Sequence, residues 1–179
     1  ARGLGDVYKR QILGRGIFAT VVRARDLQQN GREVAIKIAR RQETMYKAGM
    51  KEISILQRLS EADPDNKMFI VHFFTHFEHR GHLCMVFESL GLNLREIVKR
   101  FGKDVGLNLQ AVKTYTKQML LALALLREKQ FVHADIKPDN ILVNEAKTIA
   151  KLADFGSAST ASEMEITPYL VSRFYRAPE

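Results

Sequence analysis

The chain has 179 residues, and its 46% hydrophobic content allows one ordinary domain or a two-lobed unit with a buried core. The formal net charge is +8, but the basic residues are scattered and are not interleaved with stacking aromatic residues, so direct nucleic-acid binding is not expected. A single cysteine, Cys84, excludes a disulfide framework and favours an intracellular, reducing compartment. The sequence contains no run of about twenty apolar residues, so it predicts no membrane span. We expect a monomer, whose charge favours at most acidic or phosphorylated partners.

Residues 1–11 lack a starting methionine and resemble translated adapter sequence, so we expect a non-native leader. Strand patterns on both sides of Gly14 and Gly16 then predict two strands joined by a glycine turn. Such a turn can point backbone amides at phosphate groups, although a lone glycine hairpin is more often only a turn. Ala19 occupies the position where loops of this kind usually carry a third glycine, and its small side chain still leaves room.

Residues 33–38 alternate as a third strand, which places Ala35 and Lys37 on one face. The next segment, residues 44–59, is helical by its periodicity. Glu52 shares a helix face with a leucine expected to be buried, so it is the preferred partner for Lys37. Glu43, in the first helical turn, is the alternative partner.

The rest of the chain changes from strands to helices. In order we predict a loop, two strands, a linker and two helices over residues 63–66, 68–77, 82–88, 89–91, 93–101 and 108–129. The last helix carries leucines on almost every side and is expected to be buried nearly all round. The fold class is therefore α+β, with a five-stranded antiparallel sheet and one helix in residues 12–88 and a mainly helical part in residues 92–179.

The most specific chemical pattern is H-x-D-x-K-x-x-N, which begins at His133 and is followed by Asp154-Phe155-Gly156. Asp135 would accept or orient the proton of a substrate hydroxyl, and Lys137 would neutralise charge on a transferring phosphate. Asn140 and Asp154 supply the hard oxygen ligands that Mg²⁺ prefers. The first motif alone is compatible with an ordinary polar loop, but both motifs together indicate phosphoryl transfer from Mg-ATP.

From about residue 12 onward the chain resembles the front part of eukaryotic serine/threonine protein kinases of the CMGC group. Three segments are most similar to the pre-mRNA-processing kinases related to the DYRK and CLK kinases: residues 133–135, 154–159 and 166–179. The resemblance implies a two-lobed kinase fold that stops after the motif Ala177-Pro178-Glu179. It also implies ATP and Mg²⁺ as cofactors, protein substrates linked to the spliceosome, and a nuclear location.

The resemblance further implies an ATP site. Lys37, paired with Glu52, would hold the α- and β-phosphates, and residues 89–91 would form the hinge. The carbonyl of Glu88 and the amide of Leu90 would bond adenine. The other nucleotide-binding residues that it implies are Leu13, Gly14, Gly16, Ala19, Val21, Ala35, Phe87 and Leu142.

Two features depart from the family pattern. Ala134 replaces the arginine that usually pairs with an activation-loop phosphate. We hypothesise instead that Tyr169, once phosphorylated, pairs with Arg173 and Arg176, and a merely packed Tyr169 is the alternative. Arg173 also resembles a residue that shapes the pocket for proline after the target residue.

The second departure is at the end of the chain. Because the family continues with further helices, we expect this chain to be a fragment that is inactive and unstable alone. We also expect it to expose an apolar patch on its last helix.

A pseudokinase-like scaffold, or an inactive kinase fragment, is the alternative function. A pseudokinase is disfavoured because the chain retains the full set of residues that the reaction uses: Lys37, Glu52, Asp135, Lys137, Asn140 and Asp154.

Overall fold

The structure, a computed structural model, describes residues 7–103, 105–163 and 172–176. The chain divides into two compact units. The first unit comprises residues 1–57 and 72–89, and the second comprises residues 58–71 and 90–179. One boundary between them lies between Ser89 and Leu90, inside the segment that the sequence suggests as a hinge.

The first unit is built on a five-stranded antiparallel sheet with strand order β1-β2-β3-β5-β4. The strands are β1 Val7–Arg15, β2 Ala19–Asp26, β3 Arg32–Ala39, β4 Phe73–His79 and β5 His82–Glu88. Helix α1, Glu43–Ala62, follows β3 and begins in this unit. The predicted sheet, its antiparallel pairing and the helix are confirmed.

One face of this sheet forms a compact apolar core. The cluster consists of Val22, Ala24, Val34, Ile36, Cys84 and Val86. Because successive side chains of a strand point to opposite faces, Ala35 and Lys37 lie on the other face of β3 from this cluster. The alternation predicted for residues 33–38 is therefore present in the structure.

The sheet begins earlier than the sequence suggested. Val7 pairs with Asp26 and Gln11 pairs with Arg23, so residues 7–11 are part of β1. The non-native origin expected for residues 1–11 stays a prediction. Among the described residues, strand β1 lies at the sheet edge and has one neighbouring strand. The segment is largely polar and lacks the apolar alternation by which a strand is predicted from sequence.

A second correction concerns residues 68–72, which were predicted to begin a strand. Strand β4 begins only at Phe73, because Phe69 adopts a left-handed backbone conformation with φ of 56°. The amide of Val71 donates to the carbonyl of Leu152 at 2.9 Å, and the amide of Leu152 donates to the carbonyl of Phe69 at 2.8 Å. These apolar residues therefore pair with a short strand of the second unit.

The second unit combines helices with short strands. Its elements are α2 Leu94–Ile97, a π-helical turn Val98–Gly102, α3 Leu109–Glu128, β6 Phe131–Val132, β7 Ile141–Val143, β8 Ala150–Leu152 and β9 Ser159–Thr160. Strand β6 pairs with β9, and β7 pairs with β8. Asn93 caps α2 through a capping box with Glu96, and Asn108 caps α3 by accepting the amide of Gln110 at 2.8 Å. The first predicted helix is thus divided between α2 and the π-helical turn, and the second is confirmed.

Helix α3 buries one face and not its whole circumference. Its buried residues are Tyr115, Gln118, Ala122, Leu125 and Leu126. Leu109 and Leu120, in contrast, are 66% and 60% exposed. The expectation of burial nearly all round is wrong for the described part of the chain. The exposed Leu120 agrees with the expectation that apolar surface of this helix faces water. Across the described ranges, no helix is long and apolar enough to cross a membrane.

Candidate active site

In the first unit the Lys37 ammonium forms an ion pair with Glu52. Lys37 Nζ lies 2.8 Å from Glu52 Oε1 and 2.9 Å from Oε2. The Glu52 side chain is only 5% exposed, and that of Lys37 is 19% exposed. A buried carboxylate is stable as an anion only when it is paired, so this contact stabilises Glu52 and fixes the position of the lysine.

Glu43, the rival partner, lies elsewhere. Its side chain is 80% exposed and pairs with Lys47 at 2.7 Å, one helical turn further along α1. Such an exposed pair contributes little to stability. The structure therefore forms the pair with Glu52 that the helix periodicity favoured.

The residues around Lys37 share a face of the sheet. Val21 lies opposite Lys37 in the pairing of β2 with β3, and Ala35 lies opposite Phe87 in the pairing of β3 with β5. The register thus brings together Lys37 and three of the side chains expected around a nucleotide: Val21, Ala35 and Phe87.

The glycine turn between β1 and β2 is closed by a hydrogen bond from the amide of Gly16 to the carbonyl of Ala19, at 2.9 Å. A Cβ atom added to Gly14 would meet no atom within 4 Å. Within the described residues, packing therefore does not require glycine at position 14. Leu13, beside it, is 40% exposed.

The linker approaches the second unit's short strands closely. The amide of Gly91 donates to the carbonyl of Val143 at 2.8 Å, and the amide of Val143 donates to the carbonyl of Leu92 at 2.9 Å. A Cβ atom on Gly91 would lie 2.8 Å from the Val143 oxygen, so this position needs glycine. Leu90 is buried here, and Leu142 lies half-buried in β7 beside Val143.

In the second unit Asp135 is held by three side chains. Lys137 Nζ lies 2.7 Å from Asp135 Oδ2, and Asn140 Nδ2 donates to the same oxygen at 3.0 Å. The hydroxyl of Ser172 donates to Asp135 Oδ1 at 2.6 Å. Burial by itself raises the pKa of Asp135, but the hydrogen bonds from Lys137 and Ser172, the charge of Lys137 and the hydrogen bond from Asn140 lower it below its usual value. Asp135 is therefore a carboxylate at neutral pH.

Ser172 is the residue of this site that reasoning from the sequence missed. Besides donating to Asp135, its hydroxyl oxygen accepts a hydrogen bond from Lys137 Nζ at 3.2 Å. The only available signal was its position beside Arg173 in a segment that resembles the end of a kinase activation loop. A serine in a polar segment does not by itself point to a catalytic loop.

His133 is buried next to this loop and is a neutral imidazole. Burial lowers its pKa, although the Ala153 carbonyl and the charges of Asp154 and Asp135 act in the opposite direction. Nε2 lies 3.0 Å from the Ala153 carbonyl, and Nδ1 accepts the amide of Asp135 at 3.3 Å. The proton therefore belongs on Nε2. The ring also packs edge-on against Phe155, with centroids 4.8 Å apart.

Asn140 and Asp154 offer the donor chemistry of a magnesium site. Both hydrogen bonds that the Asn140 side chain makes within the described residues use Nδ2, at 2.9 and 3.0 Å, which leaves its amide oxygen for a cation. The amide of Ala153 donates to the carbonyl of Asn140 at 2.8 Å, and Asp154 comes next in the chain. An amide oxygen and a carboxylate fit Mg²⁺, which keeps its remaining ligands from water and phosphate. The described part of the chain contains no cluster of three or more His, Cys, Asp or Glu side chains around a metal position.

Two residues of these motifs have a left-handed backbone. Ala134 has φ of 62° and Asp154 has φ of 61°. Residues other than glycine rarely adopt this conformation, and where they do the strain often marks a functional site. Both motifs therefore show a local feature that is typical of active sites.

The structure describes only part of the segment in which a phosphorylated Tyr169 was predicted to pair with two arginines. Arg173 and Arg176 are exposed, and Arg173 begins a short 3₁₀ turn, Arg173–Tyr175. Tyr169 lies outside the described residues. The predicted pairing of a phosphorylated Tyr169 with these arginines therefore stays a prediction.

The first unit has a lysine–glutamate pair and a glycine turn, and the second unit has an aspartate held by lysine and serine, with possible magnesium ligands close by in the chain. These features are typical of phosphoryl-transfer enzymes of the protein kinase type. The comparison with known families agrees, since the protein kinase domain matches residues 7–179, and the chain belongs to this family.

Several curated proteins are similar to this chain. Serine/threonine-protein kinase prp4 of Schizosaccharomyces pombe is 59% identical over 167 residues, which cover 93% of this chain and 35% of that protein. Serine/threonine-protein kinase prpf4B of Dictyostelium discoideum is 50% identical over 169 residues, covering 93% and 21%. The DYRK-family kinase pom1 of S. pombe is 40% identical over 182 residues, covering 98% and 16%. The chain thus spans about a third or less of the length of these relatives.

Proposed function

We propose that the full-length protein transfers the γ-phosphate of ATP to serine or threonine side chains of protein substrates. The observation that carries this proposal is Asp135, a carboxylate held at 2.7 Å by Lys137 and at 2.6 Å by Ser172. A carboxylate in this state can accept the proton of an attacking hydroxyl.

Four polar residues of the two sequence motifs have roles in this proposal. Asp135 orients the substrate hydroxyl, and Lys137 neutralises the charge that develops on the transferring phosphate. Asn140 and Asp154 would hold Mg²⁺, which supplies charge neutralisation on the phosphates when it is bound. Their amide and carboxylate oxygens support this assignment.

The first unit would contribute to nucleotide binding. We assign to Lys37 the contact with the α- and β-phosphates and to Glu52 the task of positioning that lysine. The open space around Gly14 supports a role for the glycine turn, because glycine there is required neither by packing nor by a left-handed backbone. The remaining assignments follow the family resemblance: Leu13, Gly16, Ala19, Val21, Ala35, Phe87, Glu88, Leu90 and Leu142.

The substrate class is a narrower proposal. The relatives named prp4 and prpf4B are serine/threonine-protein kinases. The resemblance of the sequence motifs to pre-mRNA-processing kinases implies a role in splicing. We therefore propose spliceosomal proteins as substrates and a nuclear location for this protein. We also propose a preference for proline after the target residue. If phosphorylation on a peptide array does not depend on the residue at that position, this preference is wrong and the rest of the proposal is unaffected.

Regulation by Tyr169 is a further part of the proposal. Phosphorylation would place a dianion near two exposed arginines, Arg173 and Arg176, whose planar guanidinium groups suit phosphate. If Tyr169→Phe and the phosphorylated protein have equal specific activity, this switch does not exist.

The decisive test of the activity is single-turnover transfer of labelled γ-phosphate from Mg-ATP to a basic serine-rich peptide by the full-length protein. Asp135→Asn is the matched control, since it preserves shape and removes the charge. Transfer by the wild type and none by the variant would support the kinase. A folded protein that binds ATP without transfer would instead support the pseudokinase-like scaffold.

A further inference from the structure

The guanidinium group of Arg95, in α2, hydrogen-bonds to two other segments of the chain. The proposed function assigns no role to these contacts. Arg95 Nε donates to Asp139 Oδ1 at 2.8 Å, and Nη2 donates to the hydroxyl of Tyr175 at 2.7 Å. Asp139 lies in the 3₁₀ turn Pro138–Asn140, directly before the proposed magnesium ligand Asn140. Tyr175 ends the 3₁₀ turn Arg173–Tyr175.

Arg95 contacts the end of a short turn, Tyr175, and the residue directly before this turn, Ser172, contacts Asp135. The amide of Tyr175 donates to the carbonyl of Ser172 at 2.8 Å, which links the two ends of this short turn. At one end the Ser172 hydroxyl contacts Asp135, and at the other end the Tyr175 hydroxyl contacts Arg95. Because the hydrogen bond joins its ends, movement at Tyr175 will be transmitted to Ser172.

Stability alone does not account for this arrangement. The Arg95 and Asp139 side chains are 55% and 36% exposed, and exposed ion pairs contribute little to folding. Arg95 nevertheless uses its planar fork to orient two partners at once, which a lysine would do less well.

We propose that Arg95 is a positioning residue that ties the turn Arg173–Tyr175 to the catalytic loop and thereby keeps Ser172 on Asp135. The inference rests on the proposed kinase activity for its kinetic consequence. The tether itself is a property of the chain that can be measured without catalysis.

The test compares Arg95→Ala, Tyr175→Phe and Ser172→Ala in the full-length protein. Lys99→Ala is the matched control, because it removes an exposed positive charge from the neighbouring π-helical turn. We expect Arg95→Ala and Tyr175→Phe each to lower kcat about tenfold with the KM for ATP unchanged. Arg95→Lys should recover part of the loss, and Lys99→Ala should match the wild type.

Double variants show whether Arg95 acts on kcat through Ser172 or independently of it. If Arg95 acts through Ser172, adding Arg95→Ala to Ser172→Ala should change kcat by less than about twofold. If the loss of kcat in the double variant equals the product of the losses in the two single variants, the proposal is wrong. A wild-type kcat in Arg95→Ala would also overturn it.

Hydrogen exchange provides the readout that does not depend on catalysis. The Tyr175 amide should exchange faster in Arg95→Ala, while amides in α3 keep their wild-type rates. Unchanged exchange at Tyr175 would exclude the tether. If the wild type transfers no phosphate, the proposed function fails, and the exchange result still decides whether the tether exists.

Discussion

The hydroxyl of Ser172 donates a 2.6 Å hydrogen bond to Asp135, although 37 positions separate the two residues in the chain. The same hydroxyl accepts from Lys137, so one serine contacts both the carboxylate and the ammonium of the catalytic loop. A segment well beyond the loop motif thus helps to set the charge and orientation of the central carboxylate.

Replacing Ser172 should affect both rate and pH dependence. Ser172→Ala should lower kcat about tenfold, because Asp135 loses one of its orienting donors. The hydrogen bond from Ser172 lowers the pKa of Asp135, so its removal raises that pKa. The acid limb of the pH profile of kcat/KM should therefore move to higher pH, and Ser172→Thr should restore both values. An unshifted acid limb would exclude a role for Ser172 in the ionisation of Asp135.

Two glutamates of α1 provide a matched comparison. Glu52→Gln should lower kcat/KM about a hundredfold, because Lys37 loses the buried carboxylate that fixes it. Glu43→Gln removes the same charge from an exposed position and should leave kcat/KM unchanged. Steady-state kinetics with ATP as the varied substrate distinguishes them, and equal losses would contradict the assignment of Glu52.

Glycine substitutions should separate a packing requirement from a functional one. Gly91→Ala places a Cβ atom 2.8 Å from the Val143 oxygen and should destabilise the fold by about 1–3 kcal/mol. The Cβ atom of Gly14→Ala meets no atom of the described residues within 4 Å, so this variant should leave the melting temperature unchanged while weakening ATP binding. Thermal denaturation and an ATP titration measure the two effects. A stable Gly91→Ala variant would contradict the close approach of the linker to β7.

The Cys84 thiol should be unreactive in the folded protein. Burial raises its pKa to about 11, so at pH 8 only about one molecule in a thousand carries the thiolate. Cys84 is also packed in the core of the sheet. Titration with a chromogenic disulfide should give no rapid reaction until denaturant is added, and rapid labelling of the native protein would show that this core opens.

The sequence predicted most of the architecture because its signals are local. Strand β5 and helix α3 matched their predicted ranges to within a residue, since apolar spacing along a short window reports which face is buried. The start of strand β1 and residues 68–72 were predicted wrongly, because an edge strand has little apolar pattern and because Phe69 and Val71 pair with a distant strand.

The amino-acid sequence by itself determined which chemistry to predict, since Asp135, Lys137, Asn140 and Asp154 stand at a spacing that few other functions use. Only the tertiary structure decided which partners these groups have. The choice of Glu52 over Glu43 depends on which face of α1 packs towards Lys37. The contact of Ser172 with Asp135 depends on how distant segments fold together. A pattern along the chain reports spacing and polarity, whereas a hydrogen bond between distant residues exists only once packing has fixed both ends.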